Sequence, residues 1–322
     1  MTRARTESRD VGPSPPRRFV RPRPLAPGDR VAVVAPAGPL DREVFEAGLQ
    51  ILGKRYDVAW DPSLLSRTRY LAGDDARRSH ELATALADPA VRGVVAARGG
   101  YGSMRILPSV WPRGNGDRAD GSSVKALVGF SDITALHCAL QAGGRASVHG
   151  PVVTQLGTQP AAIVERFFAI LEDAVAPPPP LAGTPMVGGL VEGPLLGGNL
   201  SILTRLIGTP WLPDLTGAVL LLEDVGERPY RIDRMWTHLR LAGVFERVAG
   251  LALGDFTDCE DPDGGFTLRD VLYGLVRETG LSCVGYLPIG HDAINVPVAL
   301  GTRVRIDGGA GTLSFLEPAA AD

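Results

Sequence analysis

Strand and helix patterns alternate along the first half of the chain, and that alternation predicts an α/β fold. Three observations carry the reading. From residue 30 onward, short and continuously apolar runs are each followed by a stretch with helical spacing. Continuous apolar runs belong to strands covered on both faces, and hence to a parallel sheet flanked by helices. The run Pro177–Pro180 then stops the alternation, because no helix can cross it. At roughly 100–200 residues per domain, a chain of 322 residues has room for two domains.

Val31–Ala35 reads as the first buried strand. Asp41–Lys54 follows, with Val44, Phe45, Leu49 and Leu52 at helical spacing. Asp57–Trp60 is the second strand. Asp74–Leu86 is a helix whose two opening acidic residues suit the positive end of the helix dipole. Arg92–Ala97, Lys125–Gly129 and Ala146–His149 are strands three to five, and helices Ile133–Gln141 and Ala161–Glu172 follow the last two. Gly, Asn, Asp and Arg between Trp111 and Ser123 make a surface loop. In the second half, Asn199–Leu206 reads as helical and Ala218–Leu222 as a strand. Ile232, Met235, Trp236 and Leu239 share a helix face. Leu251–Gly254, Cys283–Tyr286, Arg303–Ile306 and Thr312–Phe315 are further strands. The expected organisation is a disordered tail over 1–25, an α/β domain over 26–175, a Pro-rich linker over 176–188 and an α+β domain over 189–318.

Composition removes several function classes. The 33 basic and 36 acidic residues leave a net charge of −3, which offers no general attraction for nucleic acid or an anionic membrane. Lysine occurs only at Lys54 and Lys125. No apolar run reaches the ~18–20 residues of a membrane helix. The tail is rich in Arg, Pro and Ser and lacks the apolar stretch of a secretory signal. Cys138, Cys259 and Cys283 form an odd set without C-x-x-C spacing, so reduced thiols and a cytoplasmic home are expected. Neither H-x-x-x-H nor H-E-x-x-H is present, so neither a metal nor a cofactor is expected.

Four places can hold chemistry. Gly129-Phe130-Ser131-Asp132-Ile133-Thr134 places a serine where an apolar strand turns into a helix. Free N–H groups and the helix dipole there can stabilise an oxyanion. From this stretch alone, the same serine is more readily a helix cap. Arg98-Gly99-Gly100-Tyr101-Gly102 follows strand three and lies on the same carboxyl edge of a parallel sheet. Its glycines allow close approach of backbone to a ligand, or simply a tight turn. Leu222-Glu223-Asp224 closes an apolar strand with carboxylates, and can be a site or a solvated acidic loop. Of the five histidines, only His149 and His291 follow strands directly, whereas His80, His137 and His238 lie within helices. Cys138 sits too far into its helix for an elbow nucleophile and reads as a small core residue.

Taken in order and spacing, these segments resemble the LD-carboxypeptidase family of serine peptidases, which includes muramoyltetrapeptide carboxypeptidases and microcin-C immunity proteins. The resemblance runs from about Pro24 to about Leu316. It includes His149-Gly150-Pro151, Gly197-Gly198-Asn199-Leu200, Pro229–Arg234, Gly290-His291 and Asn295. It implies a triad of Ser131 as nucleophile, Glu223 as orienting acid and His291 as general base. It also implies an oxyanion hole from the backbone N–H groups of Gly100 and Asp132. The implied fold pairs an N-terminal domain resembling class I glutamine amidotransferases with a C-terminal swivelling-type domain, in a homodimer. The implied activity is release of the terminal D-alanine from a murein tetrapeptide during peptidoglycan recycling. Action on peptidyl- or aminoacyl-adenylate analogues is the alternative, and a non-catalytic ligand-binding protein on the same scaffold is a second. Arg98, Glu227 and Arg231 are read as salt-bridging or loop-packing residues.

Overall fold

Residues 18–112 and 124–321 are described by the computed structural model of this chain. The first half supplies β1 (Arg30–Val34), α1 (Arg42–Gly53), β2 (Asp57–Ala59), α2 (Asp75–Ala87), β3 (Val91–Ala96), α3 (Ser103–Val110), β4 (Ala126–Gly129), α4 (Thr134–Ala142), β5 (Ser147–His149), α5 (Val153–Leu156) and α6 (Ala161–Glu172). The second half supplies β6 (Leu181–Ala182), β7 (Thr184–Val187), β8 (Leu190–Asn199), α7 (Leu200–Arg205), β9 (Val219–Val225), α8 (Pro229–Leu241), β10 (Gly250–Thr257), α9 (Leu268–Thr279), β11 (Cys283–Gly285), β12 (Val298–Leu300), β13 (Arg303–Asp307) and β14 (Thr312–Phe315).

Two mixed sheets organise these elements. The first runs β12-β5-β4-β3-β1-β2, and the second runs β6-β14-β13-β8-β9-β10-β11-β7. Strands β1 to β5 pair in parallel, as do β8, β9, β10 and β11. Most of their apolar side chains are buried, as the continuous runs require, with the edge strand β2 half-buried and Leu190 at the start of β8 exposed. Each parallel set presents its carboxyl ends along one edge, where the loops after β3, β4 and β5 meet those after β8, β9 and β11. The Asn199 N–H donates to Thr134 Oγ1 at 2.9 Å, tying the end of β8 to the start of α4. One apolar cluster crosses between the halves, with Leu127, Ile133 and Leu136 packed in the same core as Leu196, Leu203, Leu222 and Trp236.

The structure corrects the expected organisation in three places. Residues 18–25 do not belong to a loose tail: Phe19 and Leu25 are buried, and the Val20 N–H donates to Gly144 O at 2.8 Å. Phe19 and Leu25 each join an apolar core cluster, although the surrounding Arg and Pro mask that signal. The stretch 176–188 is a connection only through its prolines, since β6 and β7 follow at once and join the second sheet. Strand β12 comes from the second half yet pairs antiparallel with β5, Val298 opposite His149. Residues 1–17 of the expected tail, and 113–123 of the expected surface loop, lie outside the described residues. Trp111, at the start of that loop, is buried, and its carbonyl accepts from Trp211 Nε1 at 3.1 Å.

Candidate active site

The buried strand β4 ends at Gly129, where a Cβ would meet Ile133 Cγ2 at 2.9 Å, so the tight exit requires glycine. Ser131 follows at φ 64°, a left-handed conformation that few non-glycine residues adopt. Holding it costs about 1–3 kcal/mol, and such strain concentrates where a side chain must be presented. A short 3₁₀ turn, Ser131–Ile133, leads into α4, and the Asp132 N–H precedes the first hydrogen bond of that turn.

The strap after β3 closes on this turn. A Cβ on Gly99 would lie 2.9 Å from Ser131 Cβ and 3.2 Å from its Oγ. Gly100 takes φ 109° beside Gly38, whose N–H donates to Gly99 O at 3.1 Å. The Asp132 carboxylate fastens strap to turn: Oδ2 accepts the Ser103 N–H at 2.7 Å, while Oδ1 is buried without a partner. Burial pushes the Asp132 carboxyl up to about 6, against the pull of the Ser103 N–H and of Arg78. The Arg78 side chain is fully buried and bonds the Gly102 carbonyl at 2.9 Å, with shorter contacts to Pro36 O and Asp75.

Glu223 ends the apolar part of β9 and is completely buried. Its Oε2 accepts His291 Nδ1 at 2.6 Å. That bond puts the proton of a neutral imidazole on Nδ1 and leaves Nε2 as the acceptor. His149 lies on the far side, its Nε2 3.9 Å from Glu223 Oε1 and both its ring nitrogens without a hydrogen bond. Burial pushes the Glu223 carboxyl up, but the His149 and His291 imidazoles outweigh it and hold it at about 2. Burial pulls His291 down, yet Glu223, with smaller help from Asp224 and Asp255, holds it above the ordinary imidazole value.

The loop bearing His291 is fixed to the first half. Asn295 Oδ1 accepts the Gly290 N–H at 3.2 Å, and Asn295 Nδ2 donates to Gln155 Oε1 at 3.0 Å. The Asn295 N–H donates to Gln159 Oε1 at 3.0 Å. Gly290 stands at φ 136°, and a Cβ there would meet Glu223 Oε2 at 3.0 Å. The Phe130 ring packs 4.7 Å from the His291 ring. Ser131, His291, Gly99 and Gly100 thus line one open cavity of about 630 Å³. The Ser131 hydroxyl makes no hydrogen bond among the described residues. Such contacts commonly tighten only around substrate. A carboxylate-held imidazole and a serine hydroxyl that line one cavity, with glycine backbone against the serine, are groups that nucleophilic acyl transfer can use.

Of the residues singled out by sequence, Ser131, His291 and Gly100 line this cavity, Glu223 is buried against His291, and Asp132 follows Ser131 with its carboxylate on the Ser103 N–H. Glu227 and Arg231 stand apart on α8 and the loop before it, paired with each other at 3.4 Å. His137 is fully buried between Ser147 Oγ and Gly129 O, and burial pulls it down to about 3, so it is a neutral brace behind β4. Cys138 is fully buried, and burial pushes its thiol up to about 12. Asp255 escaped the sequence reading, although it closes an apolar run on β10 as Glu223 does on β9. Burial, Asp292 and Glu223 push its carboxyl up to about 7. Among the described residues no group of three His, Cys, Asp or Glu side chains is arranged to hold a metal, and no helix is long and apolar enough to cross a membrane.

Known proteins resemble this chain along nearly its whole length. The LD-carboxypeptidase N-terminal domain matches residues 31–150, and the LD-carboxypeptidase C-terminal domain matches residues 192–306. A protein of Synechocystis sp. is 40% identical, covering 94% of this chain and 99% of its own. The murein tetrapeptide carboxypeptidase of Pseudomonas aeruginosa is 33% identical, covering 87% of this chain and 93% of its own. Among solved structures, the muramoyltetrapeptide carboxypeptidase of Oxalobacter formigenes superposes with a TM-score of 0.77 at 30% identity, covering 88% of this chain and 97% of its own.

Proposed function

The chain belongs to the LD-carboxypeptidase family, and on that premise we propose that it is a serine carboxypeptidase releasing the terminal D-alanine of murein tetrapeptides. The observation that carries the reading is the 2.6 Å contact of His291 with buried Glu223, at the cavity that Ser131 also lines. In this reading Ser131 Oγ attacks the carbonyl of the L-residue while His291 Nε2 takes its proton. Glu223 holds the ring tautomer and stabilises the imidazolium. The Gly100 and Asp132 N–H groups receive the oxyanion. His291 then protonates the departing D-alanine amine. A water molecule, deprotonated by the same imidazole, hydrolyses the acyl-enzyme.

The reading extends to a cytoplasmic homodimer acting in peptidoglycan recycling. It keeps an N-terminal half of glutamine-amidotransferase type and a swivelling-type second half, with the prolines 177–180 between them. The test is incubation with a murein tetrapeptide, its all-L analogue, the pentapeptide and a non-cleavable adenylate analogue, following products by mass. Free D-alanine from the tetrapeptide alone is the expected result. Equal rates on the tetrapeptide and its all-L analogue would remove the L,D assignment. Tight binding of the adenylate analogue without tetrapeptide cleavage would move the substrate to that class.

A further inference from the structure

An exopeptidase must recognise the free carboxylate of the residue it removes, and that group lies two bonds from the scissile nitrogen. We propose that Arg98 is the receptor for this carboxylate, an inference that rests on the peptidase reading of the same cavity. Arg98 is the sole permanent cation among the residues lining the cavity with Ser131 and His291. The cavity's one carboxylate side chain, Asp41, is engaged elsewhere: its Oδ1 accepts the Glu43 and Val44 N–H groups at 2.9 and 3.2 Å, capping α1. Among the described residues Arg98 has no carboxylate partner, unlike Arg55, Arg77, Arg78 and Arg105 of the same half.

The guanidinium is also positioned. One terminal nitrogen donates to the Pro39 carbonyl, which fixes the head against the loop after β1 and leaves the rest of the fork open. The same nitrogen stands 3.7 Å from where a Cβ on Gly38 would be, and that point is 3.6 Å from Gly100 Cα. The residue after Arg98 abuts Ser131, since a Cβ on Gly99 would lie 2.9 Å from Ser131 Cβ. One strap therefore carries a fixed cation, a glycine pressed on the serine and a glycine N–H. These can meet the carboxylate of the terminal residue and, across the scissile bond, the attacked carbon and oxyanion of the residue before it. A planar fork matches a carboxylate in two-pronged fashion, and such charge-assisted bonds are the strong ones. A longer chain or an amidated end removes the charge the fork requires.

The experiment compares an L,D-tetrapeptide with a free C-terminus and its C-terminal carboxamide, across wild type, Arg98→Lys and Arg98→Leu. Wild type is expected to favour the free acid by about 100-fold or more in kcat/KM. Arg98→Leu should lower kcat/KM on the acid by about 100-fold, chiefly through KM, and change the carboxamide by less than about threefold. Arg98→Lys should fall between, keeping the charge without the fork. An equal loss on both substrates, the mark of a strap-packing role, overturns the proposal, as does an unchanged preference for the acid. The same peptides are titrated calorimetrically into Ser131→Ala protein with and without Arg98→Leu. A dissociation constant for the acid that ignores Arg98 also overturns it. Arg98-dependent binding of the acid by a wild type that cleaves neither peptide overturns the peptidase reading and leaves the carboxylate receptor standing.

Discussion

Ser131 combines a reactive position with a strained one, and two substitutions separate the roles. Ser131→Ala removes the hydroxyl at φ 64° and is expected to leave less than a few per cent of turnover with the fold intact. Ser131→Gly is equally inactive but relieves the left-handed backbone, and should raise stability by about 1 kcal/mol over the alanine variant, read from denaturant midpoints. The Glu223–His291 contact adds a pH dependence in two senses. His291 must be neutral to accept the serine proton, and its folded pKa lies above 6.5. The rate should therefore rise with pH through an apparent pKa above that value, and His291→Ala should abolish the limb with most of the activity. Asp255 contributes to the raised value, so Asp255→Asn should move the limb to lower pH, and a limb that does not move removes Asp255 from the site's electrostatics. For stability, Glu223 is held at about 2 against an ordinary 4.5. Its contribution is complete above the ordinary value and disappears as pH falls toward 2. His291 is raised, so its contribution is complete below 6.5 and disappears as pH rises through the folded value. The melting-temperature difference between wild type and His291→Ala should consequently peak between those ranges. A difference independent of pH would mean that the pair contributes packing alone.

The strap after β3 shows how far an element can be read from sequence and where reading stops. Its position on the carboxyl edge follows from the apolar run before it and from parallel pairing, and both are visible in the chain. Strands β1 to β5 and helices α1, α2, α4 and α6 fall within a residue or two of the expected bounds, because each satisfies one periodicity. Helix α3 does not advertise itself, with Pro108 inside it. The three residues of β12 carry no period at all and are a strand only because β5 presents an open ladder. Of the proposed site, Ser131 just beyond β4 and Glu223 near the end of β9 follow apolar runs visible in the sequence, whereas His291 lies in the loop between β11 and β12. The partnerless nitrogens of His149, the Asp132 bond to Ser103 and the raised Asp255 arise from contacts between distant segments, which local pattern does not encode. The requirement for glycine at position 99 belongs to the same class. Gly99→Ala places a carbon 2.9 Å from Ser131 Cβ, so strap or serine must shift. Displacements of this size cost about 100-fold when reacting groups lose alignment. A loss in kcat near that factor is expected, with a melting temperature little changed. Retained activity would show that the strap yields without moving the serine.

At the scale of the whole molecule, the halves are not independent, and the reason lies in the segment that carries His291. It leaves the second sheet after β11, is held by Asn295 to Gln155 and Gln159, and ends in β12 on the first sheet. A Cβ on Gly150 would meet Pro297 Cβ at 2.8 Å, so β5 and this segment are pressed together just beyond His149. The cluster uniting Leu127 and Leu136 with Leu203 and Leu222 adds an apolar interface that neither half can cover alone. Separation would expose that surface and break the β5–β12 ladder in one event, and with it the cavity that His291 and Ser131 both line. Calorimetric unfolding should therefore show a single transition, with activity lost over the same temperatures, despite a length at which domains often melt apart. Gly150→Ala should lower the midpoint and the turnover number together, since one contact supports both the docking of the halves and the placement of the imidazole. Two resolved transitions in the wild type, or a Gly150→Ala variant that loses stability with full turnover, would show that His291 is positioned by the second sheet alone.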